Sequence, residues 1–320
     1  MLRRGLPILL LWIPLGLALA AAGCGSDDGA QKQVTLALDF TPNAAHAGIY
    51  QAVADGRDKA HGVHLTIRQP SASTDSLKLL ASGRATMAVV DIHDLGLARE
   101  RGEDLVGVGA IVQEPLAAVI ARSSVRRPRE LEGKRVGVTG LPSDDAVLRA
   151  VVQGDGGDYS KVRKVTIGFN AVPSLAAGKV AAVTAFWNAE GVALRRRGVP
   201  TSEFRVTRYG APVYPELVLV VRRAELRSRL GAIRDTLAAL EDGTGEAAAD
   251  PAKALDPIQK ASGASRGQVL AELTAIRPAL SPPIRLRPAS LAGWATFDSR
   301  FGILPHRPDV RQAFDANVAP

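Results

Sequence analysis

Two stretches decide the fold: LLASGRATMAVVDIH at residues 79–93 and SLAAGKVAAVTAFWN at residues 174–188. In each, a short helical run stops at a glycine, Gly83 or Gly178, and an apolar, β-prone run follows that ends in polar residues. Outward from the first, the pattern predicts a strand over 34–38, a turn DFTPN, a helix over 44–54, a strand over 63–69, a helix over 75–82 and a strand over 86–90. A helix over 94–101 and strands over 105–112 and 116–121 follow. Outward from the second, the same order recurs: strand 135–139, a turn with Pro142 and a helix, strand 162–167, helix 173–177, strand 180–185, helix 190–197, and strands 204–208 and 216–222. Pro42 and Pro142, Pro115 and Pro215, and Arg122 and Arg222 stand 100 residues apart; Gly83 and Gly178 stand 95 apart. One such pair could be chance, but an ordered series of elements points to an internal repeat.

Strands alternating with helices make α/β units, each a mainly parallel sheet flanked by helices, and two units imply two lobes with a ligand cleft between them. In open α/β sheets ligands bind at the carboxyl ends of the strands. The segments to inspect are therefore 39–43, 91–93, 141–144 and 186–190, with 214–216 added as a crossover between lobes. Beyond Arg223 the text turns helical, with prolines crowding 278–288, and predicts a tail that packs back mostly on the first lobe. The expected division is 1–23 signal peptide, 24–33 linker, 34–121 first lobe, 122–211 second lobe, and 212–320 return to the first lobe with the helical tail.

The 320 residues are 46% hydrophobic and 22% charged, with a formal net charge of +8, too apolar for a disordered chain. The densest basic runs, Arg126-Arg127-Pro128-Arg129 and Arg195-Arg196-Arg197, contain no aromatic residue, which argues against nucleic-acid binding. A lone Cys excludes Cys-based zinc sites and intrachain disulfides, and the five histidines form no metal-binding spacing, so no metal is expected. There is no Gly-x-Ser-x-Gly elbow and no phosphate-binding glycine loop. Residues 1–23 combine two arginines, an apolar run and small residues directly before Cys24, which marks a secretory signal. Cys24, followed by a Gly-Ser-Asp-Asp linker, resembles a bacterial lipoprotein cleavage site and would carry the lipid that holds the protein on the outer side of the cell membrane.

Four segments carry a wider resemblance: LDFTPNAAHAGIY at 38–50, GLPSDDAVL at 140–148, AFWNAEGVAL at 185–194 and YPELVLV at 214–220. Together they resemble the pyrimidine-precursor-binding proteins of bacterial thiamin-salvage ABC importers, a group related to fungal hydroxymethylpyrimidine synthase. The resemblance runs from about residue 33 to the end. It implies a type II periplasmic-binding-protein fold with crossovers near 121 and 212, a small aminopyrimidine ligand, a permease and ATPase as partners, a monomer and no cofactor. Relatives in this fold group bind riboflavin, sulfonates or nitrate, and the other alternative is a pyrimidine-forming enzyme. That enzyme is similar around GRATMAVVDIH, where a histidine matching His93 is used with a nearby lysine that carries pyridoxal phosphate. Here the neighbourhood is Val89-Val90-Asp91, with no lysine, and the enzyme's cysteine-rich iron motif is absent.

An aminopyrimidine has a flat ring, acceptor nitrogens and an exocyclic amine, so its site wants an aromatic stack and carboxylates or amides at the ring edge. Trp187, Tyr50 and Tyr214 are the stacking candidates, and Asp39, Asn188, Glu190 and Glu216 the edge readers. Asp91 and His93 follow a strand, Asn43 and Ser143 are equally good cap residues, and His46 shares a helix face with Tyr50. Trp187 could instead be a core aromatic, and Glu190 a helix-N-terminal carboxylate favoured by the dipole.

Overall fold

The computed structural model describes Leu2 and residues 31–320, a single compact unit from Gln31 to Pro320. Apart from Leu2, the expected signal segment lies outside the described residues, as do Cys24 and most of the linker. Among the described residues no helix is long and apolar enough to cross a membrane.

The chain runs through β1 (Lys32–Ala37), β2 (Val63–Arg68), β3 (Met87–Asp91), β4 (Leu105–Val112), β5 (Ala117–Arg122), β6 (Arg135–Val138), β7 (Arg163–Thr166), β8 (Ala182–Phe186), β9 (Thr201–Arg205) and β10 (Leu217–Arg222). They form two five-stranded sheets, in the orders β2-β1-β3-β10-β4 and β7-β6-β8-β5-β9. The two orders are the same once β1–β4 are matched with β6–β9 and β10 with β5, so the repeat is real in three dimensions. The last strand of each half is exchanged: β5 pairs antiparallel with β8 and β9, and β10 pairs antiparallel with β3 and β4. This corrects the expected lobe boundary at 121. Strand 117–122 belongs to the second sheet, and the chain crosses between lobes at 113–116, then returns between Arg205 and Leu217.

The paired landmarks now have a physical cause. Gly83 and Gly178 end their helices in the left-handed region, at φ 73° and 69°, where an L side chain is strained. The guanidinium of the exchanged strand lies over each. A Cβ on Gly83 would come within 3.0 Å of Arg222 Nη2, and one on Gly178 within 2.5 Å of Arg122 Nη1. Glycine and arginine therefore recur together in both halves.

Strands β3 and β10, central in the sheet, are buried along almost their whole length, and β4, at its edge, is buried as well because the tail covers it. The tail packs on the first sheet: helix Leu230–Ala249 lies against helix Ala47–Ala54, Phe314 bridges to Gly107, and Ile284 bridges to Ala110. One apolar cluster, including Val90, Val119, Tyr214, Trp294 and Phe297, runs from one lobe to the other beneath the cleft.

Candidate functional site

Strand ends and helix starts from both lobes converge on one cavity. Asp39, Phe40 and Asn43 follow β1; Ser76 and Leu77 lie on helix Asp75–Ala81; Asp91 closes β3; and Asp94 is one turn into helix Ile92–Glu100. From the second lobe come Thr139, Leu141, Ser143 and Asp144 after β6, Gly168 and Ala171 after β7, Phe186 at the end of β8, and Ala189 and Glu190 after it. The walls are mostly apolar, with Phe40 and Phe186 the aromatic groups. Among the described residues, five carboxyl side chains line the cavity, Asp39, Asp91, Asp94, Asp144 and Glu190, and no Lys, Arg or His does.

Local chemistry fixes each acid. Asp91 caps its helix, Oδ1 accepting the His93 N–H at 2.8 Å. Glu190 closes the turn after β8, Oε2 accepting the Phe186 N–H at 3.0 Å. Asp39 Oδ1 lies 2.9 Å from His46 Nε2, while His46 Nδ1 accepts the Asn43 N–H at 3.3 Å, which puts the proton on Nε2 as donor to Asp39. Asp144 accepts from Thr139 Oγ1 at 2.8 Å, from the Gly140 and Leu141 N–H groups at 2.9 and 3.1 Å, and from Thr184 Oγ1.

The lobes touch across the cleft. Asp94, from the first lobe, accepts the Ser143 N–H at 3.0 Å and the Ser143 hydroxyl at 2.9 Å, from the second. Ser73 Oγ donates to the Thr139 carbonyl at 3.2 Å, and the Phe40 and Phe169 rings meet edge to face at 4.4 Å.

Taken out of water, the acids hold protons more strongly. Burial lifts Asp94 to about 6 against its bonds from Ser143, with Asp144 adding repulsion. Asp144 and Glu190 are raised by burial, Glu190 further by the charge of Asp39. Asp91 is pushed well up by burial and by Glu216, and Glu216 to about 7 by burial, with Asp39 adding to the rise.

Of the twelve proposed site residues, the cavity is lined by Asp39, Asn43, Asp91, Ser143 and Glu190. The others stand elsewhere. His46 is buried behind Asp39. Tyr50 is half-buried, with its hydroxyl accepting from Gln69 Nε2 at 3.3 Å. His93 is fully buried, Nδ1 on Asp298 Oδ1 at 2.6 Å and Nε2 on the Tyr214 hydroxyl at 3.1 Å. Burial pulls His93 toward neutrality, but the Asp298 carboxylate outweighs it and holds its pKa at about 9. Tyr214 is thus a core residue, and Glu216 and Asn188 are buried too, Asn188 with neither side-chain polar atom partnered.

Trp187 is the clearest departure from the stacking role expected of it. Its Nε1 donates to the Pro115 carbonyl at 3.1 Å and Arg205 stacks on its ring at 4.0 Å, so the indole covers the crossover and a shallow surface pocket rather than the cavity. The reason is the turn itself: Trp187 N–H bonds to the Leu116 carbonyl at the end of the β5–β8 ladder, and its neighbour Phe186 is the ring that lines the cavity. Asp94, Asp144 and Phe186 were not singled out as site residues. Asp94 was legible as one helical turn after Asp91, Asp144 as the acid three residues after Leu141 at a helix start, and Phe186 as part of an inspected segment. Glu272 lay in the tail, without a local signal. Its carboxylate accepts from Gln268 Nε2 at 2.9 Å, and it is raised to about 7 by burial, with the Glu190 charge adding. Among the described residues no cluster of His, Cys, Asp or Glu has the arrangement of a metal site.

Two strand-exchanged α/β lobes around a cleft form the architecture of periplasmic binding proteins. The alkanesulfonate-binding protein SsuA from Xanthomonas axonopodis pv. citri superposes with a TM-score of 0.72 at 18% identity, over 88% of this chain and 98% of that one. The NMT1/THI5-like family profile matches residues 43–254, and the chain belongs to that family. Among its relatives, a formylaminopyrimidine-binding protein of Halalkalibacterium halodurans is 34% identical over 220 residues, 68% of this chain and 67% of the relative. A 4-amino-5-hydroxymethyl-2-methylpyrimidine phosphate synthase of Saccharomyces cerevisiae, THI12, is 25% identical over 240 residues, 69% of each chain.

Proposed function

We propose that this chain is the extracytoplasmic solute-binding component of an ABC importer, that it captures a small aminopyrimidine of the thiamin-precursor type and hands it to a permease and its ATPase, and that it does no chemistry on it. We further propose that it is held at the membrane by lipid on Cys24. The observation that carries the ligand class is the cavity lining among the described residues: five carboxyl groups, two phenyl rings and no Lys, Arg or His. Flat apolar walls suit a heteroaromatic ring, and carboxylates suit its amine and protonated ring nitrogen. A sulfonate or nitrate would find acidic groups and no positive side chain among the described lining residues. Binding without catalysis is supported by His93, both of whose ring nitrogens are taken up by Asp298 and Tyr214 behind the cavity, and by the absence of lysine from 89–92.

Isothermal titration with 4-amino-5-hydroxymethyl-2-methylpyrimidine and with an alkanesulfonate tests the reading. The pyrimidine is expected to bind and the sulfonate to give no heat. Asp39→Asn and Glu190→Gln should each weaken pyrimidine binding by about 1 to 3 kcal/mol, the cost of an unmatched polar edge in a dry site. Sulfonate binding, or unchanged pyrimidine affinity in both variants, would refute it.

A further inference from the structure

Helix Pro142–Gly154 of the second lobe starts without a side-chain cap of its own. Leu141 holds the cap position, and its side chain has no acceptor; Pro142 after it has no N–H to satisfy. Asp144, in the first turn, reaches back to accept the Gly140 and Leu141 N–H groups, and its own N–H goes to the Leu141 carbonyl at 3.2 Å. That leaves the Ser143 N–H, whose acceptor comes from the other lobe. Asp94 Oδ1 takes it at 3.0 Å, and Oδ2 takes the Ser143 hydroxyl at 2.9 Å. Asp94 itself lies in the first turn of helix Ile92–Glu100, so one carboxylate serves the positive ends of two helices that meet across the cleft. Both residues are buried and line the cavity, yet their side-chain polar atoms are engaged with each other.

We propose that Asp94 is a closure latch: it caps the second lobe's helix only while the lobes are together, and so sets how slowly the cleft releases its ligand. The inference rests on the reading of this chain as a solute-binding protein. When the lobes part, the Ser143 donors and the Asp94 carboxylate must each return to water, whereas Asp144 keeps its bonds within the second lobe. The stabilisation therefore belongs to the closed state alone and acts on release more than on capture. The neighbouring bond from Ser73 to the Thr139 carbonyl joins neutral groups and is the weaker tie. Ser143, expected as a ligand contact, becomes the other half of the latch.

The test uses the intact protein at pH 7.5, where Asp94, with a pKa of about 6, carries its charge. Small-angle scattering is recorded without ligand, and stopped-flow kinetics with 4-amino-5-hydroxymethyl-2-methylpyrimidine. Asp94→Ala should enlarge the ligand-free radius of gyration and speed release at least about tenfold, with association changed less than about threefold. Asp94→Asn should reverse most of both effects, because asparagine caps a helix as well as aspartate and its amide can donate to Ser143 Oγ. A carboxylate needed for its charge on the ligand would not be rescued in this way. Ser143→Ala keeps the N–H, loses the hydroxyl bond and should fall between; it repeats the test if Asp94→Ala does not fold. An unchanged ligand-free radius of gyration in both alanine variants overturns the latch, as does release from Asp94→Asn as fast as from Asp94→Ala. If the native protein does not bind the probe, the aminopyrimidine reading fails instead, and the ligand-free scattering still decides the latch.

Discussion

Raising the pH from 7 to 9 should weaken this fold through the buried His93–Asp298 pair. His93 is fully buried against Asp298, also fully buried, and its pKa is raised from 6.5 to about 9. The folded protein therefore keeps a proton on His93 that the unfolded chain releases above pH 6.5. The stabilisation is complete below pH 6.5 and is lost as the pH rises through 9, so linkage gives a loss of ~2 kcal/mol between pH 7 and 9. Asp94, Glu216 and Glu272 are raised only to about 6, 7 and 7, so their own losses have largely run their course by pH 7. Asp298→Asn removes the partner charge and leaves an acceptor of similar shape. Burial then favours the neutral imidazole against the weaker pull of Asp91 and Asp94, the pH 7 to 9 loss should shrink, and stability at pH 7 should drop by about 3 to 5 kcal/mol, as for other broken buried pairs. Urea unfolding followed by circular dichroism at pH 7, 8 and 9 measures both effects. Equal pH profiles in the native protein and the variant would refute the assignment of the charge to His93.

Three more outcomes follow from single contacts. A Cβ at Gly243 would sit 2.3 Å from the Gly48 carbonyl oxygen and 2.6 Å from the Ala52 nitrogen, so Gly243→Ala should cost about 1 to 3 kcal/mol in spite of better helix propensity; an unchanged or higher melting temperature would sink the tight helix crossing. Trp187→Phe should alter pyrimidine affinity by less than about threefold, because the indole covers the crossover; a tenfold loss in calorimetry would put the ring in the site after all. Cys24→Ala should move the protein from the membrane fraction to the soluble one, and unchanged partitioning would exclude lipid on that residue.

The duplication was legible because each copy repeats a local necessity: a helix stop that only glycine fits comfortably, then a strand buried on both faces. What no local text encodes is which sheet a strand joins. Residues 117–122 and 217–222 are apolar runs that would satisfy either lobe, and their exchange is decided by partners far along the chain, β8 with β9 and β3 with β4. The same division holds at the site. Asp39, Asn43, Asp91, Ser143 and Glu190 were found by one rule, that strand carboxyl ends face the cleft, and they line it. At the turn after β8 the rule names the segment but not which side chain faces inward, and the scarcer tryptophan was preferred where the structure presents phenylalanine.

His93 failed for a different reason. Its environment is made by Asp298 on helix Pro288–Arg300 and by Tyr214, 205 and 121 residues away, so a sequence position typical of a cleft became a core ion pair. Net charge was equally uninformative about the site. A chain of formal charge +8 gathers carboxyl groups from four separate segments into one cavity, and none of the described cations lines it. Under the proposed function, those groups, which take up protons more readily when the cleft is empty, would meet a cationic ligand as a replacement for the missing positive charge. On that reading charge complementarity would contribute selectivity against anions as much as affinity for the proposed pyrimidine. The family's fold carries sulfonate binders too, so it is this local arrangement of acids, rather than the architecture, that sets the class of ligand.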